Sequence, residues 1–117
     1  MSQITTHILD TTRGKPAQAV PITLFAQQGD SWKQLATGVT NADGRIASLL
    51  ADDVVLANGV YRMHFETSVY FKANDETGFY PYVDIVFEIN DSAATQGAHY
   101  HIPLLLTAYG YSTYRGS

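Results

Sequence analysis

The chain is 117 residues long, 45% hydrophobic and 15% charged, which is enough apolar material for one packed domain and too much for a disordered chain. Its formal net charge is -4 and its seven Lys and Arg residues are scattered singly, so it has no electrostatic footprint for nucleic acid or an anionic membrane. Cysteine is absent, which excludes disulfides, thiolate catalysis and cysteine-ligated zinc.

The opening "MSQITTHILD" has neither a basic region nor a long apolar run. It predicts no leader peptide and no spanning helix, hence a cytoplasmic protein. From there the chain runs in short β-branched and aromatic segments, with predicted strands at 4–9, 20–27, 31–37, 45–49, 59–67, 83–90, 98–106 and 109–114. Turn chemistry separates them at Gly14, Gly29-Asp30, Asp43-Gly44 and Asn58-Gly59. The last two pairs carry the strongest hairpin signal, because a type I′ turn needs positive φ at both central residues. Between 68 and 75 the two-residue alternation blurs and a short helix is predicted. The whole reads as one domain over 1–117, an all-β, two-sheet antiparallel sandwich of about eight strands with one short helix.

The segment 98–106 shows its faces. Tyr100, Ile102, Leu104 and Leu106 alternate on the side that must meet the core. His99, His101, Pro103 and Leu105 share the other side, where Pro103 lacks a ladder donor and predicts an edge or a bulge. Leu105 on that outer face suggests a covering surface, such as a second subunit.

Several residues carry chemistry. His7 reads either as a half-buried framework histidine or as a general base, since imidazole titrates near neutrality. His99 and His101 read as a solvated pair or, with His7, as a three-histidine metal site. Arg45 and Arg115 are each an exposed cation or an anchor for an anionic or carbonyl-rich ligand. Ser112 and Ser117 lie in no nucleophile elbow, and there is no glycine-rich phosphate cradle. His64, Glu66 and Asp84 show no evident pairing and read as surface or framework groups.

Four stretches taken together, "HILDTTRGKPA" (7–17), "TNADGR" (40–45), "HYHIPLLL" (99–106) and "YGYSTYRGS" (109–117), resemble the 5-hydroxyisourate hydrolases, the transthyretin-like enzymes of purine breakdown. The final Tyr114-Arg115-Gly116-Ser117 is the most specific part of the match. Ala108 stands where the family often has proline.

The resemblance implies an amidohydrolase that opens a cyclic amide of 5-hydroxyisourate to give 2-oxo-4-hydroxy-4-carboxy-5-ureidoimidazoline. It implies catalytic roles for His7, Arg45, His101 and Ser117, and substrate contacts from His7, Arg45, Tyr114 and Arg115. It further implies no metal or other cofactor, and a homotetramer, a dimer of dimers, with sites in a channel between subunits. A strand continued straight would put Tyr114 and Ser117 on opposite faces, so a bend at Arg115-Gly116 is predicted, with Gly116 taking backbone angles closed to other residues.

Overall fold

A computed structural model describes residues 2–91 and 98–116. Eight strands are present among them: β1 Ile4–Asp10, β2 Lys15–Pro16, β3 Pro21–Gln28, β4 Ser31–Val39, β5 Gly59–Phe65, β6 Val83–Ile89, β7 Tyr100–Leu106 and β8 Tyr111–Thr113. One helix, α1, spans Thr67–Ala73. The strands form two four-stranded sheets, in the orders β2-β1-β7-β8 and β4-β3-β5-β6. This is the all-β sandwich with a short helix that the alternation predicts.

Pleat geometry builds the core. Ile4, Thr6, Ile8 and Asp10 of β1 turn inwards and are buried, as are Tyr100, Ile102, Leu104 and Leu106 of β7. The facing sheet contributes Ile22, Leu24, Met63, Phe65, Val83 and Ile89. On the outer face of the first sheet, β1 presents Thr5, His7 and Leu9, all half-buried.

Four expectations change. The pairing of β1 with β7 is parallel, with Thr5 opposite His101 and His7 opposite Pro103, while the other strand pairs are antiparallel. No hairpin can join these two strands, because almost the whole sandwich lies between them in the chain. The predicted strand at 45–49 is a single bridge between Arg45 and His7, followed by an irregular run. That run is held by side chains from the start of the chain: Leu50 donates its backbone N–H to Ser2 Oγ (3.1 Å) and Leu56 to Gln3 Oε1 (2.8 Å).

Neither Asp43-Gly44 nor Asn58-Gly59 closes a hairpin. The two-residue turn that does so is Gly29-Asp30, between β3 and β4, where Gln28 pairs with Ser31. Finally, Pro103 sits in an interior strand, not on an edge. Its carbonyl faces β8, where it accepts from Thr113 Oγ1 (2.7 Å), so its missing donor faces the same side. The ladder with β8 stops at Leu104 and Thr113, one residue short of needing that donor.

Asp10 locks the end of β1. Its Oδ1 accepts from the backbone N–H groups of Thr12 and Arg13 (both 3.1 Å), and its Oδ2 accepts from Tyr70 Oη on α1 (2.6 Å). One buried carboxylate thus makes the turn into β2 and ties the helix to the sheet. Asp10→Ala leaves these donors unpaired and is expected to cost roughly 2–4 kcal/mol. Urea unfolding measures this loss, and a change within the noise would show that Asp10 does not hold the helix.

Candidate functional site

The outer face of β2-β1-β7-β8 gathers the residues with chemistry. Directly opposed residues in a sheet share a face. Thr5 and His101 are opposed across β1 and β7, and His7 is bridged to Arg45 on the other side of β1. His99, His101, Arg45, Asn41 and Thr5 line a cavity of about 520 Å³ there. His7 is not part of this lining but is bridged to Arg45, which is.

Arg45 reaches this place through its turn. Asn41 Oδ1 accepts from the backbone N–H groups of Asp43 (2.9 Å) and Arg45 (3.2 Å), an Asx-type closure. The turn is pressed onto β1, where Ile8 donates its backbone N–H to the Gly44 carbonyl at 2.9 Å. Gly44 has φ of 73°, and a Cβ at that position would lie 2.4 Å from the Ile8 carbonyl oxygen. Only glycine allows both the angle and the approach.

The two imidazoles share an electrostatic setting. The pKa of His7 is lowered, first by burial and then by the Arg45 cation, against an opposing pull from Asp43. That of His101 is lowered by burial, then by Arg45, His99 and His7. Both rings therefore lie below the ordinary imidazole value of 6.5 and are neutral at neutral pH. Neutral imidazole beside a cation can accept a proton from water while the cation holds developing negative charge.

His101 is held from both sides. Its Nδ1 lies 2.8 Å from Thr5 Oγ1, which also lies 2.7 Å from His99 Nε2. Because His99 and His101 both turn a nitrogen to one hydroxyl, they do not converge with His7 as a ligand set. No group of three or more potential metal-binding side chains occurs among the described residues.

On its other flank His101 meets the tail, where Gly116 donates its backbone N–H to the His101 carbonyl (2.8 Å). This bridge keeps the register of the β7–β8 ladder, and Gly116 does not take positive φ. The expected reason for Gly116 is thus replaced by a steric one: a Cβ there would lie 2.4 Å from His101 Cδ2.

The rest of the tail goes elsewhere. Arg115 lies 4.4 Å over the ring of Tyr100, a core-facing residue, and with Tyr114 it lines a separate cavity of about 210 Å³ against Ile85 and Phe87. The expectation that Tyr114 and Arg115 share the cavity of His101 is not met within this chain. Alternation carries Arg115 to the side of the sheet opposite Gly116 and His101. Ser117 lies outside the described residues.

Two features escaped the sequence reading. Thr5 becomes visible only once β1 and β7 are known to be parallel neighbours. His64 is likewise paired, with Nδ1 2.6 Å from Asp84 and Nε2 2.5 Å from Glu66, on the outer face of the second sheet. Burial pulls its pKa down, but the two carboxylates outweigh it and leave it raised.

Gly116→Ala should move the imidazole of His101 and change its NMR resonances, while global stability falls by less than about 1 kcal/mol. Unchanged His101 resonances in a folded variant would contradict the steric account.

Comparisons with known proteins give the family and agree with the fold. The family model described as the HIUase/Transthyretin family matches residues 4–116. The chain is 45% identical over 117 residues to a probable 5-hydroxyisourate hydrolase of Schizosaccharomyces pombe, covering 97% of this chain and 90% of that protein. It is 40% identical over 118 residues to the 5-hydroxyisourate hydrolase of Mus musculus, covering 99% and 96%.

Among solved structures, the 5-hydroxyisourate hydrolase of Klebsiella pneumoniae superposes with a TM-score of 0.82 at 37% identity, over 97% of this chain and 98% of that one. Sea bream transthyretin in complex with thyroxine superposes at 0.87 and 32% identity, over 97% and 94%. With nearly its whole length matched, this chain belongs to the HIUase/transthyretin family.

Proposed function

We propose that this protein hydrolyses 5-hydroxyisourate, opening its cyclic amide to 2-oxo-4-hydroxy-4-carboxy-5-ureidoimidazoline. The observation that carries the reading is Arg45, bridged to His7 and lining one cavity with His101, next to two imidazoles of lowered pKa. Hydrolase relatives at 40–45% identity supply the substrate.

In this scheme His101, which lines the cavity, takes a proton from water as the water oxygen attacks the ring carbonyl. Arg45 anchors the electron-rich substrate and balances the oxyanion of the tetrahedral intermediate, an effect typically worth about 3–4 kcal/mol. The carbon–nitrogen bond then breaks, and the protonated imidazole returns its proton to the departing nitrogen. Water is thus added across the amide with no net change at the enzyme. His7, bridged to Arg45, orients the substrate or shares the proton transfer. Ser117 completes the proposed site through its hydroxyl or carboxylate.

Assembly into a dimer of dimers, with the cavity opening onto a channel between subunits, belongs to the same proposal. Leu105, half-buried on the outer face, is consistent with such a covering contact. A cysteine-free chain also suits the cytoplasm. No helix among the described residues is long and apolar enough to cross a membrane.

The alternative is a carrier that binds without chemistry, as in transthyretin complexed with thyroxine. Ultraviolet decay of freshly generated 5-hydroxyisourate separates the two. Turnover is expected from the wild type and a loss of at least about a hundredfold from Arg45→Ala or His101→Ala, both still folded. The acid limb of kcat/KM should lie below the ordinary imidazole value of 6.5, since both rings stay neutral past that point on acidification. Decay at the uncatalysed rate would leave the carrier as the better reading.

A further inference from the structure

We infer that Thr5 and His99 are positioning residues that set the tautomer of His101, through a directed hydrogen-bond chain running from His101 Nδ1–H to Thr5 Oγ1–H to His99 Nε2. The inference rests on the hydrolase reading above and deepens it.

The geometry leaves few options. Thr5 Oγ1 touches both rings, at 2.7 Å from His99 Nε2 and 2.8 Å from His101 Nδ1. A hydroxyl has one proton to give, so between two neutral imidazoles it donates to one and accepts from the other. If His101 donates from Nδ1, its Nε2 carries the lone pair. If the chain runs the other way, Nε2 carries the proton and the ring cannot act as a base from that nitrogen.

Position selects the first direction. The tail at Gly116 crowds the Cδ2 side of the ring and Thr5 holds the Nδ1 side, so Nε2 lies at the free tip. No described residue hydrogen-bonds it. The cation of Arg45 acts on His101 from the cavity that both residues line. A lone pair at the cavity is attracted to that cation, whereas an N–H would oppose it. Among the described residues, the titratable and charged groups acting on His101 are Arg45, His99 and His7, none of them a carboxylate that would favour the reverse order.

The arrangement also accounts for His99, which is exposed yet fixed. Its ring, one residue before β7, lies 6.3 Å from that of His101 at an interplanar angle of 21°, close to parallel. It closes the chain by accepting the proton that Thr5 cannot give to His101.

Nitrogen-15 NMR of the imidazoles distinguishes Nδ1–H from Nε2–H, and steady-state kinetics on the same samples reads the consequence. The wild type should show His101 as the Nδ1–H tautomer. Thr5→Val should give a mixed tautomer and lower kcat at least about tenfold with little change in KM. Thr5→Ser should restore both. His99→Ala, at an exposed position that folding does not depend on, should weaken the tautomer bias and lower kcat by a smaller factor.

An Nε2–H tautomer in the wild type would overturn the inference. So would a Thr5→Val enzyme with unchanged tautomer, or one that Thr5→Ser fails to rescue. Wild-type protein with the expected tautomer but no turnover would count against the hydrolase reading while leaving the hydrogen-bond chain supported.

Discussion

Ile8 gives its backbone N–H to Gly44 and takes that of Ala17 at its carbonyl, both at 2.9 Å. Everything at the cavity follows from this docking. It pulls the 41–45 turn flat against β1, so that the exposed Arg45 is bridged directly to His7. The contact tolerates no side chain at position 44 and demands a backbone angle that most residues avoid. The turn is closed independently by Asn41, so Arg45 reaches the sheet already oriented. The backbone thus fixes where the Arg45 side chain starts, next to His7.

The cation then sets the state of its neighbours. Burial alone disfavours imidazolium, and Arg45 adds to the effect at both His7 and His101. The sandwich makes this possible by dividing its labour. The inner face of the β1–β7 pair is buried and largely apolar, with Ile4, Ile8 and Leu104 fully buried. Its outer face carries Thr5, His7 and His101 at positions fixed by the same pleat. Moving one of these side chains relative to another requires breaking the ladder, which is how a small sheet holds a reactive set steady. The second sheet shows the opposite electrostatics at His64, where two carboxylates favour the proton. The difference between the three histidines is one of neighbours.

How much of this is legible in the sequence depends on the range of the interaction. Local alternation shows the strands and their inner faces, as in Tyr100, Ile102, Leu104 and Leu106. It misplaces the hairpins, because Asp43-Gly44 has the chemistry of a tight turn but no strand to follow it. The signal there is right about the turn and silent about its partner, Ile8, more than thirty residues away.

Pro103 misleads for a related reason. A missing donor excludes a strand interior only where the neighbouring strand pairs through that position. The ladder with β8 is interrupted at Pro103 before the His101–Gly116 bridge resumes its register. Motif resemblance, unlike spacing, brings His7, Arg45 and His101 together from opposite ends of the chain, and the coordinates place them around one cation. Thr5 has no motif of its own. Its role exists only across the parallel pairing of β1 with β7, which no local pattern encodes.

The central claim is that burial and, after it, one guanidinium lower the pKa of two separated imidazoles. Titrating the ring resonances of His7 and His101 by NMR, in the wild type and in Arg45→Met, tests it most directly. The account predicts that both rings titrate below 6.5 in the wild type and that both move up towards that value when the cation is removed. If either ring titrates at the same pH with and without Arg45, the arrangement described here is contradicted.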